Sequence, residues 1–282
     1  MRAVVEIKGG FGNQIFQYSF ANYLRNKGYK VTVNINKIIF KQGSNRHPLS
    51  NNNFGFKETS QVTVLLFKFL YFVSQKTFFN NSINKLINKI FTKETNLESF
   101  VNNKKGKYLS HFDGYWQNIE LVMRQKDYLI QSLKKEDVAR NNLTFDIKNG
   151  ATLVHVRRGD YVDIGENLDI KFYEEAINLC KSKIEKFSFE VFTDDPKWVS
   201  EQYIFEDAKA IHGPKDNIEG LLFDISKMCN FQNFIIGNSS LPLMAALFSE
   251  SKNSLIIVAD PWMKNQNHNL NLKRDWVRIK NR

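Results

Sequence analysis

The chain has 282 residues, of which 42% are hydrophobic and 24% charged, and this composition excludes a wholly disordered protein. Its 40 lysine and arginine residues outnumber its 29 acidic residues, so the net charge is +11 and the surface should attract a polyanion, an anionic membrane or a phosphorylated substrate. Because single hydrophobic cores stop growing at roughly 250 to 300 residues, we expect two domains, residues 1–148 and 149–282.

The cysteines and the first residues indicate the cellular compartment. Cys180 and Cys229 lie in predicted helices without the spacing of a metal site, so we expect reduced, buried thiols. The sequence enters a predicted strand directly after its first residues and lacks the apolar core and cleavage site of a signal peptide. We therefore expect a cytoplasmic protein.

The beginning of the chain predicts a β-α-β unit. In order, its elements are a strand over residues 3–7, a glycine turn at residues 9–12, a helix over residues 14–27 and a second strand over residues 31–35. Gly28 stands where the C-terminal cap of the helix is expected. A unit of this kind predicts a parallel sheet.

The next hundred residues carry weaker patterns. Residues 36–60, rich in Asn, Ser and Lys, predict an irregular loop. The apolar run over residues 62–73 predicts a helix that is too short to span a membrane, since about 20 residues are needed. Two interpretations stay open: a helix packed on the first domain, or, with residues up to Lys93, an amphipathic patch on an anionic membrane surface.

Aromatic side chains alternate with hydrogen-bonding groups over residues 107–117. This mixture suits the flat faces of sugars, although ordinary packing also produces it. A helix is predicted over residues 119–135, and residues 141–150 are typical of a connection between domains.

After this connection the β-α-β pattern resumes and predicts a second, doubly wound domain. The predicted strands cover residues 151–157, 189–193, 208–212, 234–236 and 255–259. The predicted helices cover residues 172–187, 218–229 and 240–249, with a further helix after Pro196. The last twenty residues carry many Lys and Arg and are expected to fold back or fray.

The first strand of this second domain ends in a cluster of polar groups: His155, Arg157, Arg158 and Asp160. Ligands of doubly wound sheets bind beyond the carboxyl ends of the strands, so the cluster predicts a binding site. A guanidinium group is always charged and matches phosphate oxygens with two hydrogen bonds. The two adjacent arginines therefore indicate a di-anionic ligand.

Two further strand ends in the same domain carry polar groups. Asp194 and Asp195 would hold a metal, act as acid or base, accept hydrogen bonds from a guanine edge or ribose, or cap the next helix. Asn238, Ser239 and Ser240 would cap a helix or cradle a phosphate. Three such ends in one sheet favour a nucleotide-phosphate site.

The glycine turn after the first strand offers free backbone N–H groups to an anion or a polar substrate. It is not the dinucleotide fingerprint, which requires a glycine where Ile15 stands. Considered alone, such a turn is more often a tight connection than a site.

Several stretches resemble glycosyltransferase family 11, the α-1,2-fucosyltransferases that use GDP-fucose. They are residues 9–18 (GGFGNQIFQY), 112–117 (FDGYWQ), 155–161 (HVRRGDY), 193–195 (TDD) with Trp198, and 235–240 (IIGNSS). The most specific feature is HVRRGDY after an N-terminal GGFGNQ. The chain departs from the family at residues 241–245 (LPLMA), where an aromatic Phe-Ser-Trp-Trp segment is common.

The resemblance implies the GT-B arrangement, in which two Rossmann-like domains face each other across a cleft. The first domain would contact the acceptor, with Asp113, Tyr115 and Trp116 on the acceptor side, and the second would bind GDP-fucose. The resemblance also implies inversion at the sugar carbon, with no metal and no cofactor beyond the donor substrate.

Roles for the donor residues follow from the same resemblance. Arg157, with Arg158 beside it, would bind the donor pyrophosphate, and Asp194 or Asp195 would meet the guanine or ribose. The phosphates would also contact the turn that contains Asn238, Ser239 and Ser240.

At the reaction centre, the resemblance places Asn13 with its glycine turn, and Gly10 and Gly12 of this turn are expected to bind the donor. His155, Asp160 and Asp113 stay open as the base that accepts the hydroxyl proton. We favour His155 and Asp160 as supports of the two arginines.

The leading hypothesis is an α-1,2-fucosyltransferase that acts on a galactose-terminated glycan, such as a lipid-linked O-antigen precursor at the inner face of the cytoplasmic membrane. The alternative enzyme transfers another GDP-activated sugar. A non-catalytic binder of nucleotides or nucleic acid is the remaining alternative. No nucleic-acid partner is expected, because the basic residues are spread along the chain and no reading helix or aromatic RNA platform is evident.

Overall fold

The computed structural model describes residues 1–39, 47–75, 91–94, 108–136, 148–215, 217–249, 251–264 and 270–281. The chain divides into two compact units, Met1–Glu136 and Asp137–Arg282, each built on a parallel sheet. An α/β fold with two Rossmann-like units is thus confirmed, and their facing across a cleft stays a prediction. Residues 137–147, between this division and the predicted boundary after residue 148, lie outside the described residues.

The N-terminal unit contains a five-stranded sheet in the order β3-β2-β1-β5-β4. The strands are β1 (Arg2–Glu6), β2 (Lys30–Asn34), β3 (Lys57–Glu58), β4 (Phe91–Glu94) and β5 (Leu109–Phe112). The described helices are α1 (Phe11–Asn26), α2 (Asn36–Ile39), α3 (Gln61–Gln75), α4 (Ile119–Arg124) and α5 (Lys126–Glu136). The single helix predicted over residues 119–135 is therefore two helices.

Helix α1 forms because its apolar residues recur on one face. Phe16, Phe20 and Leu24, spaced four apart, are fully buried against the sheet. The helix ends at Asn26, and Gly28 turns the chain away after it with a φ of +86°, a left-handed conformation that glycine adopts without strain. The N–H of Tyr29 donates to Leu24 O (3.1 Å), which closes the last turn.

The C-terminal unit contains a six-stranded parallel sheet in the order β11-β10-β9-β6-β7-β8. The strands are β6 (Lys148–Val156), β7 (Ser188–Thr193), β8 (Ile211–His212), β9 (Phe231–Gly237), β10 (Ile256–Asp260) and β11 (Val277–Lys280). The helices are α6 (Gly159–Asp163), α7 (Ile170–Lys183), α8 (Pro196–Ser200), α9 (Ile218–Cys229) and α10 (Ser240–Ser249). This is the doubly wound order, in which the chain runs outward from β6 to β8 and then returns to the centre.

One core layer of this unit lies between the sheet and helix α7, and the residues of α10 are buried as well. Val154 of β6 packs in one cluster with Phe172, Ala176 and Cys180 of α7. Burial raises the pKa of the Cys180 thiol to about 12, so this cysteine stays protonated at neutral pH. Both cysteines are buried thiols outside any disulfide, as the sequence predicted.

Several elements differ from those expected. The predicted loop over residues 36–60 contains α2 and β3, although residues 40–46 lie outside the described residues. Strand β4 was not predicted. The C-terminal segment, expected to fold back or fray, forms β11 parallel to β10. None of the helices in the described part of the chain is long and apolar enough to cross a membrane.

Candidate functional site

The candidate donor site lies where the strand order of the C-terminal sheet reverses. Strands β6 and β9 are adjacent and parallel. The chain continues from β6 to β7 on one side of this pair and from β9 to β10 on the other side. The connections after these two strands diverge, so a crevice opens beyond their carboxyl ends. Arg157 follows β6 at this edge and Asn238 follows β9.

Arg157 forms two ion pairs through the two branches of its guanidinium group. Nη2 donates to Asp160 Oδ1 (2.6 Å) and Nη1 lies 2.8 Å from Asp194 Oδ2. The Asp160 pairing is the one that the sequence favoured for this residue. The side chain of Arg157 is 35% exposed and that of Asp160 is 48% exposed, so an arriving phosphate can compete for this fork.

Arg158 is more enclosed than Arg157. Its Nε donates to Asp195 Oδ2 (3.1 Å), and its guanidinium lies 4.0 Å from the centre of the Trp198 ring. Asp195 also caps helix α8, because its Oδ1 accepts the N–H of Trp198 (3.1 Å). Arg158 therefore holds the start of α8 against the segment that follows β6.

Asp194 joins the ends of β6 and β7. Its Oδ1 accepts the backbone N–H of Arg158 (2.8 Å), while Oδ2 pairs with Arg157. A Cβ at Gly159 would lie 2.5 Å from Asp194 Oδ2, so only glycine lets this carboxylate approach. The arginine pair is thus oriented by Asp194 from one side.

His155 is buried in β6 and its Nδ1 has no hydrogen-bond partner among the described residues. Burial, and after it the charge of Arg157, lowers the pKa of His155 to about 3. The imidazole is therefore neutral at physiological pH and too weak a base to hold a proton there. This placement favours the supporting role over the role of base.

Asn238 ties three loops together at the same edge. Its Nδ2 donates to Glu166 O (2.8 Å), and its own carbonyl accepts from the Tyr161 hydroxyl (3.3 Å). Glu166, which is 1% exposed, accepts the backbone N–H of Lys264 at Oε2 (2.7 Å). The Asn238 amide is therefore engaged by protein, and the nearby backbone is held firmly in place.

Helix α10 begins at Ser240 and follows Gly237, whose φ is +55°. Ser239 O accepts the N–H of Leu243 (3.4 Å), the first bond of the helix, so the N–H groups before it have no partner within the helix. Pro242 carries no N–H. The anion-binding capacity of this end thus rests on Ser239, Ser240 and Leu241.

The N-terminal sheet has a second reversal point, between β1 and β5. Lys8, after β1, donates to Asp113 Oδ1 (2.8 Å) after β5, and its Nζ lies 5.2 Å from the centre of the Tyr115 ring. Lys93 lies 3.7 Å from the other oxygen of Asp113. Tyr115 is 45% exposed, so it offers a ring face to a sugar.

Trp116, predicted on the acceptor side, is placed in the core instead. It is 3% exposed and its ring stacks on Phe20 at 4.1 Å. Among the non-glycine residues that the structure describes, Trp116 is the one with a positive φ, at 53°. The indole therefore packs the domain, and the exposed aromatic face belongs to Tyr115.

The glycine turn is held by amide side chains. Gln117 Nε2 donates to Asn13 Oδ1 (2.9 Å), and a Cβ at Gly9 would lie 3.0 Å from Asn13 Nδ2. Gln17, fully buried, accepts the N–H of Lys8 (2.8 Å) and donates to Gly114 O (3.2 Å). Gly10 has open space around its Cα, and Gly12 is buried in the first turn of α1.

The structure thus gathers the donor residues predicted in the second domain at one edge of the C-terminal sheet, and the predicted acceptor residues, except Trp116, at one edge of the N-terminal sheet. Gly10 and Gly12, also predicted to bind the donor, lie in the N-terminal unit at the start of α1. Sequence reasoning missed Lys8, Gln17 and Glu166. Lys8 had a signal, since it is a charged residue directly after a buried strand. The other two act through long-range bonds that spacing does not reveal.

In the ranges that the structure describes, no three His, Cys, Asp or Glu side chains are grouped so that they could hold a metal ion. The expectation of metal-independent transfer stays a prediction.

Comparison with known proteins decides the family. The model of "Glycosyl transferase family 11" matches residues 3–280, nearly the whole chain. The chain belongs to this family. The protein is therefore a glycosyltransferase, and the two strand-end clusters are the candidate binding sites of a family 11 enzyme.

Two E. coli proteins are similar to this family 11 chain over almost their full lengths. One is named alpha-1,2-colitosyltransferase and is 27% identical, over 98% of each chain. The other is named O-antigen biosynthesis glycosyltransferase WbnK and is 23% identical, over 97% of this chain and 99% of its own. Among solved structures, the E. coli heptosyltransferase WaaC with ADP-2-deoxy-2-fluoro heptose matches with a TM-score of 0.41 and 12% identity, over 99% of this chain and 92% of that one.

Proposed function

We propose that the protein transfers L-fucose from GDP-fucose to the 2-hydroxyl of a galactose residue in a glycan acceptor. The observation that carries this proposal is the Arg157 fork at the β6–β9 reversal, oriented by Asp194 and open to solvent. Family membership supplies the reaction class, and the relative named for α-1,2 transfer supports the linkage. The relative named for O-antigen biosynthesis supports a surface-glycan precursor as acceptor.

The proposed chemistry is a direct displacement with inversion, without a metal. The acceptor hydroxyl attacks the anomeric carbon while GDP leaves, so negative charge grows on the leaving phosphate. Arg157 would stabilise this charge with two hydrogen bonds, together with the free N–H groups at the start of α10. Asp160, the more exposed partner of Arg157, would yield its place to the phosphate.

The acceptor would bind at the β1–β5 reversal of the N-terminal unit. Tyr115 offers an exposed ring to the apolar face of galactose, and Lys8, Asp113 and Asn13 offer hydrogen bonds. Asp113 is the preferred base of the three candidates, because it lies at this acceptor edge with Lys8 and Tyr115, whereas burial lowers the pKa of His155 and Asp160 is paired with Arg157 of the donor cluster. Its two lysine neighbours, Lys8 and Lys93, orient its carboxylate.

The alternative donor is another GDP-activated sugar, and the colitosyltransferase relative makes GDP-colitose the first to test. GDP release would be followed with GDP-fucose, GDP-colitose, GDP-mannose and UDP-galactose, each with a soluble β-galactoside. We expect the fastest galactoside-dependent release with GDP-fucose. Faster release with another donor, or none with GDP-fucose, would reject the proposed donor.

The role of Arg157 is tested by Arg157→Ala and by the matched variant Arg158→Ala. We expect Arg157→Ala to lower kcat/KM by about 100 to 1,000-fold, as removal of an oxyanion donor typically does, with an unchanged thermal unfolding midpoint. Arg158→Ala should lower the unfolding midpoint as well, because it releases Trp198 and α8. An Arg157→Ala enzyme with normal activity would refute the assignment.

A further part of the proposal concerns location. We place the reaction on a lipid-linked acceptor at the inner face of the cytoplasmic membrane. The net charge of +11 supports it, because that membrane face carries anionic lipids.

A further inference from the structure

Helix α3 presents an apolar face to solvent. Side chains at positions i, i+3, i+4, i+7 and i+10 share this face, and their exposed fractions are high: Val62 77%, Leu65 63%, Leu66 47%, Phe69 61% and Phe72 55%. Five such side chains expose on the order of 500 Å² of apolar surface, near the upper end of the largest patch on typical soluble monomers.

The opposite side of α3 fixes the helix on the N-terminal unit. Phe67 and Val73 are buried in one cluster with Val4 of β1, and Phe67 packs edge-on against His111 of β5 at 5.7 Å. The helix is therefore apolar on both sides, with one side committed to the sheet. A surface helix of a soluble protein normally places polar residues on its outer side, and α3 does not.

The charge of this region selects the partner. Residues 61–75 and 91–93, which the structure describes here, contain two lysines, Lys68 and Lys93, and no aspartate or glutamate. Of these lysines, Lys68 is exposed on α3 itself, and Lys93 lies 4.3 Å from the centre of the Tyr71 ring on the same helix. Two copies of such a region would repel each other, whereas an anionic lipid surface attracts it and accepts the apolar face.

We propose that the exposed face of α3, Val62, Leu65, Leu66, Phe69 and Phe72, docks the protein on an anionic membrane surface. The helix lies in the interface with these side chains among the acyl chains, and Lys68 contacts the lipid phosphates. The biological role of this docking rests on the proposed function, because docking would bring the enzyme to a lipid-linked acceptor. Its physical basis is the surface of α3 alone.

The test is sedimentation with vesicles of phosphatidylcholine alone and of equal parts phosphatidylcholine and phosphatidylglycerol. We expect the full chain to bind the anionic vesicles and to bind the neutral ones more weakly. The variant L65S/F69S/F72S should bind the anionic vesicles at least about tenfold more weakly, and Lys68→Ala about fivefold more weakly. The matched control Y108S/Y203S changes side chains that are 75% and 67% exposed elsewhere and should bind normally.

The outcomes separate this inference from the proposed reaction. Turnover of a soluble β-galactoside is measured on the same preparations, and L65S/F69S/F72S should retain it together with its unfolding midpoint. If the enzyme turns over the soluble acceptor but does not bind vesicles, the docking surface is rejected and the proposed reaction stands. The docking surface is also rejected if L65S/F69S/F72S binds the anionic vesicles as tightly as the unchanged chain. It is rejected as well if the unchanged chain is a dimer and this variant is a monomer. Vesicle binding without turnover of any GDP-sugar rejects the proposed reaction alone.

Discussion

Gly159→Ala provides a sensitive test of the arginine cluster, because it adds one methyl group beside Asp194 and removes no polar group. A Cβ at this position would lie 2.5 Å from Asp194 Oδ2, and ordinary van der Waals contact begins near 3.4 Å, so the carboxylate must retreat by about 0.9 Å. That oxygen lies 2.8 Å from Arg157 Nη1, and the other oxygen accepts the N–H of Arg158 at 2.8 Å. The displacement of Oδ2 would weaken its pairing with Arg157 and tilt the carboxylate that accepts the N–H of Arg158.

The size of the effect follows from this displacement. A misplacement of about 1 Å in a catalytic group typically costs about 100-fold in rate, which corresponds to about 2.7 kcal/mol in the activation barrier. We therefore expect kcat/KM for the GDP-sugar to fall by about 100-fold in Gly159→Ala. Initial rates of GDP release at varied donor and fixed acceptor concentrations measure it, and thermal unfolding checks the fold.

A double-mutant cycle with Asp194→Ala isolates the cause. If Gly159→Ala acts by pushing the carboxylate away, it should have almost no effect in a chain that already carries Asp194→Ala. Additive losses in the double variant, or normal kcat/KM in Gly159→Ala, would show that Asp194 does not orient the arginines.

Three further changes test other parts of the structure. The pKa of His155 is about 3 in the folded chain and 6.5 as its ordinary value, so the unfolded state binds more protons between these two pH values. The free energy of unfolding should therefore be at its full value above about pH 6.5 and should fall below that pH by up to about 1.4 kcal/mol per pH unit. Urea unfolding of His155→Gln should show a shallower fall over the same pH range. Asp113→Asn removes the proposed base and the charge that holds Lys8, so kcat should fall by about 100-fold or more while the donor KM stays constant; an unchanged kcat would show that Asp113 is not the base. Glu166→Ala leaves the partly buried N–H of Lys264 without its acceptor and should lower the free energy of unfolding by about 1 kcal/mol or more, whereas Glu166→Gln, which keeps an acceptor oxygen, should cost less in the same urea titration.

The sequence predicted the elements whose pattern is local. Helix α1 was recognisable from the four-residue spacing of Phe16 and Phe20 and from Gly28, and the strands of the C-terminal sheet from short apolar runs that end in polar groups. Strand β3 has two residues and β4 alternates weakly, so neither carries a detectable period. Their positions are decided by pairing with β2 and β5, which are distant in sequence.

The candidate site divides in the same way. That Arg157, Asp194 and Asn238 would converge was predictable, because each follows a strand of one parallel sheet. Which groups they bond could not be predicted, because the partners depend on loop geometry. Asn238, expected at a phosphate, donates its amide to Glu166, and Asp195, for which capping and ligand binding were both open, caps α8 and also pairs with Arg158.

The pairing of β6 with β9 also bears on how the protein folds. Val154 and Ile235 are partners in this pair although 81 residues separate them along the chain. Closing so long a loop costs entropy before any contact compensates for it, so this central pair forms late and neither half of the unit has a complete sheet without the other. The arginine fork and the α10 turn belong to different halves. The capacity to hold a nucleotide sugar should therefore emerge only with the cooperative folding of the whole unit, and a cut in the polypeptide between the halves would abolish it unless the fragments reassociate.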